Sequence, residues 1–189
     1  MKKAIRIFCV LSLVTLALVG CSISDESDAK KVAEELTRGV YNVDEAKVTA
    51  YKAPMPEFTG GVSREYNKKE NEAFREKLKE IDKSILPLIT KEGYEVIITN
   101  QFNTATTMIC SRDNYTAQVT DITLGENVYK DYKDNDKVRY RYEVKLDFIS
   151  SDGKIKQADT SKGAVELVKE DGKWKVCSFG INQMPKLYK

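Results

Sequence analysis

Residues 138–148 alternate strictly between apolar and charged side chains, and this pattern constrains the fold more than any other stretch. The apolar positions are Val138, Tyr140, Tyr142, Val144, Leu146 and Phe148. Because successive side chains of a β-strand point to opposite faces, a period of two places these groups on one face. The stretch is also longer than the usual strand of about five to six residues. It therefore predicts a central antiparallel strand with one buried and one solvated face.

The solvated face of this strand carries charges of both signs. They are Arg139, Arg141, Glu143, Lys145 and Asp147. Such a face is explained as ordinary solvated surface. The alternative is a partner-docking surface that binds through salt-sensitive ion pairs.

The first part of the chain shows helical patterns. Residues 29–40 place apolar groups at helical spacing and predict an amphipathic helix. Residues 43–52 fit either a short strand or a continuing helix. Residues 53–61 contain two prolines and two glycines, which predict a loop.

A second, longer helix is predicted to begin near residue 67. Its apolar stripe recurs at intervals of three and four residues and consists of Phe74, Leu78, Ile81, Ile85 and Leu88. Pro87 and Gly93 are expected to end it. The stripe is expected to pack on a sheet, and an oligomerisation seam is the alternative.

After residue 93 the period changes to two, which predicts two strands at 94–99 and 105–110, or one bent strand, and the alternation continues over 115–119 after a turn at 111–114. The Asp-Gly pairs at 152–153 and 171–172 are strong hairpin signals.

The polar stretch at 131–136 predicts a turn, and the last two strands are expected at 164–169 and 174–181. Helices followed by antiparallel strands give an α+β fold in which the helices cover one face of the sheet.

Residues 1–20 have the form of a bacterial export signal. Lys2, Lys3 and Arg6 provide a positive start, and the apolar run over 7–19 is too short to cross a bilayer core of about 30 Å as a helix. Without these residues the chain is nearly neutral. It therefore lacks the basic stripe that nucleic-acid binding normally demands, and we expect no nucleic-acid partner.

The end of this segment, Leu18-Val19-Gly20-Cys21, resembles the lipobox of bacterial lipoproteins. The resemblance implies that Cys21 is diacylated and begins the mature protein, because two acyl chains anchor stably where one does not. An ordinary cleaved signal or an uncleaved anchor is the alternative. Residues 21–28 are then the lipidated cysteine with a polar tether, and residues 29–189 a single domain on the extracytoplasmic face of the cell membrane.

The order of elements resembles the nuclear-transport-factor-2-like superfamily, also called cystatin-like. The motif that carries the resemblance is the closing hairpin at 166–176, with its Asp171-Gly172-Lys173-Trp174 turn. The resemblance implies a strongly curved, cone-like antiparallel sheet whose concave face, covered by the helices, forms a pocket. Members use this pocket for catalysis, for ligand binding or only as core, and others pair as dimers, so the fold alone does not choose a function.

The sequence contains no histidine. Serine and cysteine nucleophiles generally need an imidazole base, and zinc sites usually include an imidazole, so we expect no metal and no cofactor. An Asp/Tyr pocket is the remaining enzymatic option in this superfamily. The candidate bases are Asp121, Asp147 and Asp159, and the candidate donors are Tyr94, Tyr140 and Tyr142; no residue is assigned a catalytic role.

Aromatic side chains offer a lining for the concave face of the predicted sheet. The pocket candidates are Tyr94, Tyr140, Tyr142 and Trp174. Tyrosine hydroxyls in such a pocket can orient a small ligand. The alternative is that these side chains are the hydrophobic core beneath the helices.

Two cysteines, Cys110 and Cys177, remain once Cys9 is assigned to the signal and Cys21 to the anchor. A disulfide between them would persist outside the cytoplasm. A bridge requires Cα atoms about 4.4–6.8 Å apart, which a sequence does not reveal. Both a bridge and two free thiols stay open.

Together these features predict a lipid-anchored exported protein that binds a small ligand or a protein partner without catalysis. The alternatives are a surface enzyme with an Asp/Tyr pocket and a structural subunit of a secretion or conjugation assembly. The membrane is the expected partner of the lipid anchor, and a homodimer stays open.

Overall fold

The computed structural model describes residues 25–53, 64–129 and 136–188 of the chain. The predicted signal at 1–20, the lipidation candidate Cys21 and most of the predicted turn at 131–136 lie outside these residues. Residues 25–28, predicted as part of the tether, already belong to the first helix.

Five helices precede a four-stranded sheet in the part of the chain that the structure describes. The helices are α1 (residues 25–41), α2 (Glu45–Lys52), α3 (Arg64–Ile81), α4 (Lys91–Thr99) and α5 (Ala105–Asp113). The strands are β1 (Tyr115–Leu124), β2 (Lys137–Ser150), β3 (Ile155–Glu170) and β4 (Lys173–Gln183), and short 3-10 helices occur at Leu86–Leu88 and Lys186–Tyr188. The predicted α+β class is confirmed.

The sheet is an antiparallel meander in the order β1-β2-β3-β4. It is not strongly curled, so the expected cone-like curvature is wrong. Its three ladders contain register irregularities at four places, and such irregularities bend individual strands locally without curling the sheet as a whole. Each strand pairs only with its chain neighbours, and β1 and β4 are the two edges.

The central strand behaves as its alternation predicts. In β2, the six apolar side chains from Val138 to Phe148 are each at most 6% exposed. On the opposite face, Lys145 pairs with Asp121 of β1 (3.0 Å) and Glu143 pairs with Lys162 of β3 (2.6 Å). These cross-strand ion pairs fit a solvated surface.

Both predicted Asp-Gly hairpins are confirmed. Gly153 and Gly172 have φ angles of +77° and +74°, and Asp171 has a φ angle of 52°. Such turns need left-handed backbone, which glycine adopts at no steric cost. The strands they join are longer than predicted, because β3 continues over 16 residues.

The segment at 43–52, for which strand and helix were both open, forms α2. The Asp44 carboxylate caps this helix by accepting a hydrogen bond from the Lys47 amide at 2.7 Å. The long predicted helix begins earlier and ends earlier than expected, as α3, and Pro87 lies in the 3-10 helix that follows. Phe74 of its stripe is 47% exposed.

The predicted strands at 94–99 and 105–110 are wrong, because these residues form α4 and α5. Short apolar runs do not distinguish a strand from a buried helix by periodicity. The Thr90 side chain caps α4 by accepting from the Gly93 amide at 3.0 Å, and Asn114 ends α5 in left-handed conformation with a φ angle of 56°. In α4, Tyr94 and Ile97 are buried three residues apart.

Candidate functional site

A groove of about 1090 Å³ opens between the end of α1, α2, the end of α3 and the start of β1. Its polar lining includes Glu35, Arg38, Asn42, Lys47, Glu80 and Lys83, and its apolar lining includes Pro87, Leu88, Ala117 and Ile149. The four aromatic pocket candidates do not line this groove.

Residues 42–44, which connect α1 to α2, form one side of the groove and cover the edge of β1. Val43 and Ala117 exchange two backbone hydrogen bonds, at 2.9 and 2.8 Å. The Asn42 side chain accepts from the Val119 amide at 2.7 Å, and Arg38 donates to the Val119 carbonyl at 3.2 Å. These contacts satisfy an edge that would otherwise present unpaired backbone groups.

Lys47 is half-buried and caps the end of α1. Its Nζ donates to the carbonyl oxygens of Gly39 at 2.6 Å and Asn42 at 3.1 Å. Carbonyls at a helix C-terminus lack intrahelical donors and attract a cation. Burial lowers the pKa of Lys47, while the nearby charges of Asp82 and Asp44 oppose that shift. Lys47 therefore stabilises the end of α1 and the connection to α2, which form one side of the groove.

The two walls of the groove carry exposed charges of both signs. Glu35 and Arg38 project from α1, and Glu80 and Lys83 come from the end of α3 and the turn after it. Within the described part of the chain, Glu35, Glu80 and Lys83 form no ion pair, unlike the charges of the sheet face. Their charges are available to a bound molecule.

A buried carboxylate lies between two groove-lining positions in the sequence. The Asp82 side chain is 1% exposed, and its Oδ2 accepts from the Tyr94 hydroxyl at 2.9 Å and from Asn103 Nδ2 at 2.6 Å. Burial raises the pKa of Asp82, and the hydrogen bonds from Asn103 and Tyr94 and the charge of Lys47 oppose the rise. We call Asp82, Tyr94 and Asn103 the carboxylate cluster.

Two polar atoms in this region have no hydrogen-bond partner among the described residues. They are Asn103 Oδ1 and Thr107 Oγ1, and both side chains are at most 1% exposed. Unpaired buried polar atoms are costly and rare in native proteins. The carboxylate cluster is therefore incompletely satisfied.

A second group of buried hydroxyls joins α1 to the sheet. The Tyr41 hydroxyl lies 3.1 Å from that of Tyr142 and 2.7 Å from Ser161 Oγ. Tyr142 donates to the carbonyl of Gly180 at 3.1 Å, and Ser161 donates to that of Gln183 at 2.6 Å. Because each hydroxyl has one hydrogen and those of Tyr142 and Ser161 go to backbone carbonyls, Tyr41 donates to one neighbour, and Ser161 at 2.7 Å is the nearer. We call Tyr41, Tyr142 and Ser161 the hydroxyl cluster.

All four aromatic pocket candidates are buried in the structure. Tyr142 belongs to the hydroxyl cluster and Tyr94 to the carboxylate cluster. Tyr140 is fully buried, with a hydroxyl that has no partner among the described residues, and burial raises its pKa to about 12. Trp174 is 7% exposed and donates from Nε1 to Asp25 at the start of α1, at 2.8 Å.

The two cysteines outside the signal and anchor are free thiols in the structure, Cys110 buried and Cys177 half-buried. Burial raises the pKa of Cys110 to about 12 and raises that of Cys177 above its ordinary value. Neither is poised as a thiolate nucleophile. The structure contains no disulfide between Cys110 and Cys177.

Two of the three aspartates considered as bases have other partners, and the third lies on the solvated face of the sheet. Asp121 pairs with Lys145, and Asp159 accepts from the Lys186 amide at 2.6 Å and from Gln157 at 3.1 Å. Asp147 lies on the solvated face of β2, opposite the tyrosines of its own strand, as predicted.

Sequence reasoning missed Asp82 and Lys47. A signal for Asp82 was present, because it lies four residues after Leu78 and three before Ile85, on the apolar stripe where a charge is unexpected. Nothing comparable marks Lys47, whose partners are backbone carbonyls.

No protein-family model matches the sequence, and no curated protein sequence matches it. The chain is similar to an IcmL-like type IV secretion system protein from Legionella pneumophila, with a TM-score of 0.45 and 11% identity, covering 81% of this chain and 88% of that chain. It is also similar to a protein of unknown function from Mycobacterium tuberculosis, with a TM-score of 0.31 and 12% identity, covering 66% and 78%. A calcium/calmodulin dependent protein kinase II association domain from Xanthomonas campestris gives a TM-score of 0.27 and 17% identity, covering 46% and 56%.

These are partial likenesses in structure alone, and no sequence family is shared with this chain. At TM-scores below 0.5 they carry no argument about function. Within the described residues, none of the helices combines the length and the apolar character that crossing a bilayer requires.

Proposed function

We propose that this chain is a lipid-anchored exported bacterial protein of nuclear-transport-factor-2-like type that binds a protein partner through its groove and catalyses no reaction. The observation that carries the proposal is the groove between α1, α2, α3 and β1, whose wall charges Glu35, Glu80 and Lys83 form no ion pair among the described residues. The anchor rests on the lipobox resemblance at Cys21.

A protein partner fits the groove better than a small ligand does. Small-molecule pockets usually enclose their ligand and bury about 70–90% of its surface. This groove is open to solvent at about 1090 Å³ and has charged walls. The four aromatic pocket candidates are buried and do not line this groove.

The arrangement of charges indicates the chemistry of the partner. Each wall presents one acid and one base, Glu35 with Arg38 and Glu80 with Lys83. Between them lies a floor that includes Ala117 and Leu88. A polypeptide segment with charges of both signs and small apolar side chains would complement this surface.

The enzyme alternative has a specific observation in its favour, because Asp82 and Tyr94 form the Asp/Tyr pair that such a site requires. Against it, Asp82 is 1% exposed and Tyr94 is 9% exposed, so a substrate has no access to either group. Burial also raises the pKa of Tyr94, which keeps its hydroxyl protonated as a hydrogen-bond donor. The pair is better explained as structural.

The groove is tested by site-specific photo-crosslinking in intact cells. Glu35 and Glu34 are neighbouring exposed residues of α1, and Glu35 lines the groove. A photo-reactive residue at position 35 is expected to give a discrete protein adduct that Lys83→Glu abolishes and Lys31→Glu does not. An equal adduct from position 34, or one insensitive to Lys83→Glu, would contradict the proposal.

Other results of the same experiment identify the alternatives. An adduct of twice the chain mass indicates a homodimer, and one with components of a secretion or conjugation assembly indicates that class of partner. A bound small molecule seen by native mass spectrometry, without a protein adduct, would favour a ligand-binding protein.

The anchor is tested separately by fatty-acid labelling. We expect incorporation of a labelled fatty acid into the wild-type chain and its loss in Cys21→Ser, with release of the protein from the membrane fraction. Labelling that survives Cys21→Ser would contradict the anchor.

A further inference from the structure

We infer that the domain stands on the membrane in one orientation, with its β3–β4 hairpin toward the lipid headgroups and the groove directed away. This inference rests on the proposed anchor at Cys21. It adds the part of the domain surface that faces the bilayer.

The first step is a clamp that holds the start of α1 to the β3–β4 hairpin. Asp25 accepts from Trp174 Nε1 at 2.8 Å through Oδ1 and from Lys169 Nζ at 2.6 Å through Oδ2. The Lys169 ammonium also lies 5.1 Å from the centroid of the Trp174 ring. The Asp25 carboxylate thus binds Trp174 through one oxygen and Lys169 through the other, and we call these three residues the clamp.

The clamp carboxylate stays ionised. The hydrogen bond from Lys169 holds the pKa of Asp25 below its ordinary value, against the smaller opposing effect of burial. The ion pair with Lys169 is therefore present at neutral pH.

The second step is the short distance from the clamp to the anchor. Cys21 and Asp25 are four residues apart, and four residues span at most about 14 Å even when fully extended. The residues from 25 onward are already helical and lie against the core. A lipidated Cys21 must therefore keep this end of the domain close to the membrane surface.

The third step places the groove at the other end of the sheet. Ile149 of β2 lines the groove and pairs with Ile155, the first residue of β3. Lys169 lies 14 residues further along β3, which corresponds to about 45 Å of strand. The part of the groove at Ile149 therefore lies at the end of the sheet that is farther from the bilayer.

The membrane-facing end has exposed cations that can meet lipid phosphates. Lys173 in β4 and Lys137 in β2 are exposed there, and Lys137 pairs with Val168 of β3. Of the acids in the hairpin, Glu170 is engaged by Lys175, and Asp171 at the turn is exposed beside Lys173. Contact of this end with headgroups therefore does not require the insertion of apolar side chains.

The orientation is tested with the full lipidated chain in vesicles that carry a quencher on their headgroups. All proteins carry Cys177→Ser, and a dye is attached at either Lys173→Cys or Lys154→Cys. Both positions are exposed next to hairpins at opposite ends of β3. We expect quenching of the dye at position 173 and none at position 154.

The clamp is then broken by Asp25→Ala, and by Lys169→Met as a milder variant that keeps the Trp174 hydrogen bond. Each is expected to lose the difference in quenching between the two dyes. Glu26→Ala, which removes only the surface pair with Lys30, should preserve that difference.

Equal quenching at both positions in the anchored wild-type protein, or stronger quenching at position 154, would overturn the orientation while leaving the anchor intact. A chain that does not bind the vesicles at all, and takes up no fatty acid, overturns both.

Discussion

The carboxylate cluster and the hydroxyl cluster are both buried, and they differ in charge and in whether each polar side-chain atom has a hydrogen-bond partner among the described residues. The hydroxyl cluster is neutral, and its two outer hydroxyls donate to backbone carbonyls of β4. The carboxylate cluster contains an ionisable group and an oxygen, Asn103 Oδ1, that has no hydrogen-bond partner in the described part of the chain. Completely paired polar networks rigidify a core, whereas incomplete ones lower its stability.

This difference follows the two layers of the fold. The hydroxyl cluster joins α1 to the strands and fixes how that helix sits on the sheet. The carboxylate cluster joins α4 and the segment before α5 to the end of α3, close to the groove. We expect the helical layer behind the groove to be the less stable of the two regions.

The largest effect is expected from Gly163→Ala, which breaks the hydroxyl cluster sterically. A Cβ at this position would collide with the Gly180 carbonyl and the Tyr142 hydroxyl. Because backbone and a buried ring must both move, we expect a loss of about 3 kcal/mol or more in the free energy of unfolding. Urea unfolding measures it. Gly180→Ala is the matched control, since its Cβ meets nothing within 4 Å, and equal losses would contradict the steric argument.

Asp82→Ala breaks the carboxylate cluster. It leaves the Tyr94 hydroxyl and the Asn103 amide without their acceptor in a buried site. We expect a loss of about 3 kcal/mol in unfolding free energy. Asp82→Asn retains an acceptor oxygen and should lose much less. If both variants unfold at the same urea concentration, the hydrogen bonds of Asp82 do not stabilise the fold.

The pH dependence of stability separates the two clusters further. Burial raises the pKa of Asp82 in the folded protein, so the folded state binds more protons than the unfolded state above pH ~4. The contribution of Asp82 is fully present below its unfolded pKa and is lost as the pH rises through the folded pKa.

Asp82→Asn has no such titration, so its stability relative to wild type should increase with pH from about 4 to about 7. Unfolding free energies of both proteins across this range measure the difference. Parallel curves would show that Asp82 titrates as it does in the unfolded chain.

The sheet could be predicted from the sequence and the helical layer behind the groove only in part. The alternation of β2 and the two Asp-Gly turns are local signals that the sheet obeys. In α4, the apolar residues Tyr94, Val96 and Ile97 form a short run that fits a strand as well as a helix. The Thr90 cap and the close packing of Gly93 against β4 favour the helix. At Gly93 a Cβ would lie 2.7 Å from the Val176 carbonyl.

The groove could not be predicted, because its walls come from segments far apart in sequence. Glu35, Glu80 and Gln118 meet only after folding, and each is an ordinary surface residue in its own segment. Asp82 lies beside the groove without lining it, and its position could have been noticed, since a carboxylate on an apolar stripe is visible in the sequence.

Tyr41→Phe should have a moderate effect on the hydroxyl cluster. It removes the hydrogen that Tyr41 donates to Ser161, while Ser161 and Tyr142 retain their own donations to backbone carbonyls. We expect a loss of about 1 kcal/mol in unfolding free energy, because no donor is left unpaired. Tyr188→Phe, at an exposed position, should change stability little. A loss as large as that of Asp82→Ala would show that the two clusters do not differ as described.

The smallest effect, and the only gain, is expected from Thr107→Val in the helical layer. The Thr107 hydroxyl is fully buried, and within the described residues it has no hydrogen-bond partner. Replacing it with a methyl group of similar size removes a desolvated polar atom, so the free energy of unfolding should rise by about 0.5 kcal/mol. Ser161→Ala is the matched control, because its hydroxyl is paired and its removal should lower stability. A loss in Thr107→Val would mean that the Thr107 hydroxyl has a hydrogen-bond partner, such as a buried water, and Asn103 Oδ1 alone would then carry the difference between the two regions.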